Sequence, residues 1–86
     1  MANRAHLDLV SSRVVKILRE ERESKGISMT RLAEMSGLSQ GMVSLVEHEH
    51  RNPSLDTLLR MCDALEIDLS AVLLRAERAA KKAVAK

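Results

Sequence analysis

The chain has 86 residues, enough for one small domain. Hydrophobic residues make up 45% and charged residues 30%, a globular balance, but Trp, Tyr and Phe are all absent, so the core must come from Leu, Ile, Val, Met and Ala, and no ring is present on which single-stranded bases stack. A lone cysteine, Cys62, excludes an internal disulfide framework and a cysteine-based zinc site, no cofactor is implied, and no apolar run approaches the ~20 residues of a membrane span.

The net charge of +2 is unevenly placed. Residues 1–69 hold nine basic and eleven acidic side chains. Residues 70–86 hold Arg75, Arg78, Lys81, Lys82 and Lys86 against Glu77 alone. A basic excess confined to one end is a poor argument for nucleic acid by itself. Met1-Ala2-Asn3-Arg4 leads into Asp8 and Arg13 rather than an apolar stretch, so no secretory leader is expected and a cytoplasmic protein is.

Apolar spacing is helical throughout, and nothing reads as a period-2 strand. A first helix is expected over Asp8–Ser24, with Val10, Val14, Ile17 and Leu18 as its stripe and Lys25-Gly26 as its stop. Ser28 suits an N-cap for a helix over Met29–Ser36, because its hydroxyl can accept a free backbone N–H. Gly37 then suits the left-handed residue after that helix, and Ser39 caps a third over Gln40–His48 that buries Val43 and Val46. Glu49-His50-Arg51-Asn52 reads as a polar loop, and Pro53-Ser54 as the entry to a fourth helix with Asp56 near its positive end. Leu55, Leu58, Leu59, Cys62 and Leu65 form the expected apolar face of that helix. Glu66-Ile67 connects it to a fifth, capped by Asp68 or Ser70 and running from Leu69 into the tail with Leu69, Val72, Leu73, Ala76, Ala80 and Ala83 at three- and four-residue steps. The expectation is an all-α domain spanning residues 1–86, with a core over about 14–73 and a C-terminal helical extension over 74–86.

Two short helices joined by Ser36-Gly37-Leu38-Ser39 have the length and chemistry of a helix-turn-helix. The run Ile27–Glu47, with Leu32-Ala33, Gly37 and Glu47 at their spacing, followed by Asn52-Pro53-Ser54, resembles the Cro/C1-type (XRE) helix-turn-helix family. Phage repressors and restriction–modification controller proteins are of this kind, and the resemblance covers about Val14–Leu73. It implies a five-helix lambda-repressor-like domain that regulates transcription by sequence-specific binding of double-stranded DNA. The implied form is a homodimer on a palindromic operator, with half-sites about one turn (~34 Å) apart and the recognition helix, about 40–48, in the major groove.

Physical reasons attach to each part. Ala33 sits where the two motif helices cross, and a larger side chain would push their axes apart. With Leu32, Leu38, Val43 and Val46 turned inward, Gln40, Gly41, Ser44 and Leu45 remain for base edges, and Met42 lies at the margin between surface and core. Gln40 can make a bidentate contact to adenine, worth roughly 1–3 kcal/mol of discrimination. Gly41 lets the backbone come close, and Leu45 suits a thymine methyl. Thr30, Ser39, His50, Arg51 and Asn52 are expected on the DNA backbone, where contacts set register and not sequence. The resemblance also implies an ion pair between Arg22 and Glu47 that sets the tilt of the recognition helix; the plainer reading is two solvated charges. Leu69, Val72, Leu73 and Ala76 are the expected dimer interface, against the plainer reading that they pack on the first helix.

Three positions depart from the family pattern: Met29 replaces a phosphate-contacting Gln, Glu49 stands near a usual glycine, and Glu21 replaces a usual Leu. His48-Glu49-His50 is read as no metal site, since alternate loop residues without further ligands rarely hold one. An acidic patch of Glu20, Glu21 and Glu23 is either a contact for RNA polymerase or a solvated helix face. The competing functional readings are an antitoxin-like module whose main partner is a toxin protein, and an enzyme. Against an enzyme stand the missing Ser/His/Asp spacing, phosphate loop and metal cluster.

Overall fold

Leu18, Leu32, Val43, Val46, Met61, Leu65 and Val72 are almost wholly removed from solvent and form the centre of the molecule. Every helix supplies at least one of these residues. The computed structural model describes residues 4–49 and 52–84, and its elements are α1 (Arg4–Ser24), α2 (Met29–Ser36), α3 (Gln40–Glu47), α4 (Leu55–Ala64) and α5 (Leu69–Val84). The described residues contain no strand, as the apolar period requires.

One device closes the first four helices. Gly26, Gly37, Glu49 and Glu66 follow α1, α2, α3 and α4 with φ of 67°, 73°, 57° and 58°, the left-handed region. After three of them an aliphatic residue sends its amide back across the last turn: Ile27 to Arg22 O (3.1 Å), Leu38 to Ala33 O (3.0 Å) and Ile67 to Cys62 O (3.0 Å). Each of those aliphatic residues also packs on the core. The chain thus writes stop, anchor and restart in three residues: Gly26-Ile27-Ser28, Gly37-Leu38-Ser39 and Glu66-Ile67-Asp68.

Three expectations need correction. Helix α1 begins at Arg4 rather than Asp8, since nothing in Arg4–Leu7 breaks a helix and α5 runs antiparallel beside α1. On α4, Leu55 and Leu59 are 65% and 50% exposed, because the buried arc centres on Met61 and takes Thr57 and Cys62 instead. On α5, Val72 and Ala76 are 1% and 0% exposed, so the seam expected to meet a partner lies in the chain's own core. The small side chains of Ala76 and Ala80 let α5 lie close to α1, while Leu69 is half-buried and Leu73 and Leu74 are exposed.

Polar links hold the ends of this packing. Glu21 accepts from Arg75 Nη1 at 3.4 Å, tying α1 to α5, and lies 3.9 Å from Lys25 Nζ. Lys25 Nζ donates to the carbonyl of Leu65, placing a cation at the negative end of α4. Cys62 is 2% exposed, and burial pushes its thiol up from the ordinary range, which leaves it unreactive. No helix of the described residues is long and apolar enough to cross a membrane.

Candidate nucleic-acid interface

The motif is built by two serine caps and one left-handed turn. Ser28 Oγ accepts the Arg31 N–H at 3.0 Å, starting α2, and Ser39 Oγ accepts the Met42 N–H at 3.0 Å, starting α3. Between them Ser36 is buried, and its hydroxyl donates to Leu32 O at 2.7 Å, so the tight end of α2 leaves no unsatisfied group there. A Cβ on Gly37 would come within 3.3 Å of Arg60 Nη1, so the turn is constrained both by its φ and by the side chain lying over it. Ala33 is 4% exposed at the helix crossing. These contacts fix α3 relative to α2 without any loop to adjust.

Helix α3 divides cleanly. Val43 and Val46 are fully buried, Met42 is half-buried and packs on the core, and Gln40, Gly41 and Leu45 are exposed. Leu45 is a large apolar side chain held 37% exposed, which its neighbours in the core do not need. A Cβ on Gly41 would find nothing nearer than Ser39 Oγ at 3.9 Å, so the surface there is open. Ser44 is half-buried and within 3.3 Å of His48 Nδ1. The only ionised residue of α3, Glu47, is 3% exposed and turned inward. The outward edge of α3 is therefore neutral and polar, the character that base edges require; charge for phosphates has to come from elsewhere.

Glu47 is neutralised by Arg22. Arg22 Nε and Nη2 donate to the two carboxylate oxygens at 2.7 and 2.9 Å, and Nη1 donates to Ile27 O at 2.7 Å. The carboxylate raises Arg22 above the ordinary arginine value by accepting these bonds, against desolvation that lowers it. One guanidinium thus joins the end of α1, the α1–α2 connection and the last turn of α3.

The remaining expected residues divide by location. Thr30 and Ser39 are exposed at the starts of α2 and α3, and Asn52 is exposed just before α4. His50 and Arg51 lie outside the described residues. Glu49 is exposed in the left-handed conformation. His48 is the C-cap of α3. Its Nδ1 lies 2.8 Å from Ser44 O, which holds the ring against the end of α3. Gln40, Ser44 and His48 follow at four-residue steps, a spacing that shares one helix face. Among the described residues no group of three or more His, Cys, Asp or Glu is placed to hold a metal ion.

Comparison with known proteins agrees with this geometry. The Helix-turn-helix family model matches residues 18–72. An uncharacterized HTH-type transcriptional regulator of Haemophilus influenzae is 38% identical over 66 residues, covering 77% of this chain and 67% of that protein. The crystal structure of the clp gene regulator ClgR from Corynebacterium glutamicum superposes with a TM-score of 0.77 at 30% identity, over 90% of this chain and 82% of that one. The restriction-modification controller protein C.Esp1396I superposes with a TM-score of 0.75 over 86% of this chain and 95% of that one, a likeness of fold at 24% identity. Among the first curated relatives the share of the relative's length that this chain spans runs from 17% to 67%.

Proposed function

The chain belongs to the helix-turn-helix, XRE-type family of DNA-binding transcriptional regulators, and on that premise we propose that it acts as a homodimer, each copy placing α3 in the major groove of one half of a palindromic operator. The observation that carries this reading is the split surface of α3: Val43, Val46 and Glu47 are locked inward while Gln40, Gly41 and Leu45 stand open. A rigid helix with a neutral polar edge is what direct readout requires. Gln40 and Ser44 hydrogen-bond base edges, Leu45 packs on a thymine methyl, and Gly41 admits the groove wall. Thr30, Ser39, His50, Arg51 and Asn52 take phosphates and set the register. Residues 1–86 act as one unit, and the described part of the C-terminal extension, 74–84, continues α5.

Exposed leucines support the second copy. Leu55 and Leu59 of α4 lie beside Leu58, which lines one groove with Leu73 of α5, Val10, Val14 and Pro53. The groove also includes the polar Ser11 and Asn52, and exposed leucines beside it favour association. The dimer surface is thus Leu73 with Leu55 and Leu59, rather than Val72 and Ala76.

Selection from random duplexes at ordinary ionic strength tests the reading. The expected product is an inverted repeat. Gln40→Ala then loses roughly 1–3 kcal/mol on that sequence and almost nothing on unrelated duplex. Arg51→Ala weakens binding to all sequences and lowers the salt slope by about one. No enrichment, or an equal loss on both duplexes for Gln40→Ala, overturns it.

A further inference from the structure

The outer flank where the first half of α1 meets the second half of α5 carries a cluster of cations that the reading above does not use. Arg13 and Lys82 face one another across a shallow groove of about 290 Å³, floored by Ala79 and Ala83. Arg78 lies one turn before Lys82, and Lys16 one turn after Arg13, both exposed. Among the described residues none of these four makes an ion pair or a hydrogen bond. Arg13 is half-buried, which holds its long side chain against the α1–α5 surface while no described residue pairs with its charge.

The nearby acids do not cancel this charge. Glu21 is already engaged by Arg75 and Lys25. Glu77 sits roughly 140° around α5 from Lys82 by helical geometry. Glu20 lies one turn beyond Lys16, at the far end of the strip. The groove between Arg13 and Lys82 is therefore locally cationic, and its alanine floor lets a backbone approach closely.

The flank also faces away from α3. Asp8, Ser12 and Val15 of α1 line a different cavity, together with Glu49 and Asn52 of the α3–α4 connection. A step of ~100° per residue turns Arg13 roughly 100° from Ser12 and 160° from Val15. A duplex seated on α3 and that connection does not extend round to Arg13 and Lys82.

We propose that this flank is a second anion-binding surface, and that its occupant is the phosphate backbone of a duplex other than the one read by α3. The choice of occupant rests on the DNA-binding reading above. The surface itself rests on charge complementarity: a row of unpaired Arg and Lys matches a polymer with a phosphate about every 3.4 Å of each strand, with no side chain placed to read bases. The protein then bridges two DNA segments, one held by sequence and one by charge.

The test uses the full chain. The selected operator duplex is fixed to beads and saturated with protein, and a labelled 40-base-pair duplex of unrelated sequence is offered at low salt. The native protein is expected to retain the second duplex, with retention falling steeply as salt rises. Arg13→Ala/Arg78→Ala/Lys82→Ala is expected to lose it at least about tenfold while binding the immobilised operator within about twofold of the native protein. The exposed pair Arg78→Ala/Lys82→Ala repeats the measurement without touching half-buried Arg13, in case the triple variant folds poorly. Equal retention by both variants overturns the proposal. So does a parallel fall in operator binding, which assigns the strip to the primary interface. Retention of anionic vesicles but of no duplex overturns it in favour of a lipid surface. If selection yields no operator, bridging of two unrelated duplexes still decides: the native protein on a bead-bound 40-base-pair duplex is expected to retain a labelled second one at low salt, and the triple variant to lose that retention at least about tenfold while binding the first duplex as before. Equal retention by the triple variant overturns the proposal independently of the reading of α3.

Discussion

Arg22 and Glu47, at the ends of α1 and α3, meet through two parallel N–H···O bonds of 2.7 and 2.9 Å with only 3% of Glu47 exposed. The bidentate fork fixes angle as well as distance, so it sets how α3 leaves the core. Arg22→Ala leaves a buried carboxylate without compensation and is expected to cost about 3–5 kcal/mol. For a domain of this size that lowers Tm by more than ~12 °C. Arg22→Met/Glu47→Leu is expected to recover most of the stability, because the desolvation of both charges disappears with them. Thermal unfolding of the three proteins checks the order; equal stability of Arg22→Ala and the native chain would sink the account. Arg22 stands above its ordinary value, so its contribution is full below the unfolded arginine value and is lost only as pH rises through the raised one. Stability measured around neutral pH is therefore expected to show no titration from Arg22.

Gly41 separates folding from recognition. It lies inside α3, where glycine costs up to ~1 kcal/mol relative to alanine. A Cβ there enters open space, with Ser39 Oγ the nearest atom at 3.9 Å. Gly41→Ala is expected to stabilise the fold by about 0.5–1 kcal/mol and to weaken operator binding, because the added methyl keeps the groove wall away. Gly37→Ala goes the other way on folding. Its φ of 73° costs an L-residue about 1–2 kcal/mol, and the new Cβ meets Arg60 Nη1 at 3.3 Å. Urea midpoints and duplex titrations on both variants measure the two effects separately. Tighter operator binding by Gly41→Ala contradicts the close-approach role.

The five helices and the motif were legible because their signals are local. Ser28 and Ser39 each cap the helix they were assigned to, Ser54 caps the fourth helix at the expected Pro53-Ser54 entry, and Gly37 turns where the chain must reverse. The division of α3 into Val43 and Val46 inside and Gln40, Gly41 and Leu45 outside was equally readable from spacing. The assignments that failed depend on neighbours. Leu55 and Leu59 extend the apolar stripe of α4 past the arc its neighbours cover, and composition alone does not say where coverage stops. Val72 and Ala76 read as an open seam only because the α1 surface that covers them is distant in sequence. Glu66 hides a left-handed stop that Gly26 and Gly37 announce, although the pattern of stop, aliphatic anchor and restart is the same.

Glu49 and Glu66 hold left-handed backbone at φ of 57° and 58°, a region that costs non-glycine residues about 1–2 kcal/mol. Glycine removes that strain but loses about 0.5–1 kcal/mol of chain entropy. Glu49→Gly and Glu66→Gly are each expected to raise stability by up to about 1 kcal/mol, read as a higher urea midpoint. Their effects on DNA differ. Glu49 sits beside the last turn of α3, so removing its charge strengthens binding to any duplex, while Glu66 follows α4 and is expected to leave binding unchanged. Equal gains in DNA affinity from both variants would remove Glu49 from the neighbourhood of the phosphates.

The exposed leucines distinguish a partner surface from a core. Leu59 is 50% and Leu73 37% exposed, whereas Ala76, one turn on from Leu73, is 0% exposed. Leu59→Glu and Leu73→Glu place a charge where a second copy would bury it and leave the folded subunit nearly intact. Each is expected to shift sedimentation from dimer to monomer and to weaken binding to a full inverted repeat far more than to one half. Ala76→Glu forces a charge against α1 instead, and is expected to lower Tm steeply at every protein concentration, because the cost of an unpaired buried charge does not depend on association. Concentration separates the two mechanisms: a dimer contact gives a Tm that rises with protein concentration in the native chain and loses that dependence in Leu59→Glu and Leu73→Glu. If both leucine variants sediment as the native chain does, the second copy docks on another face.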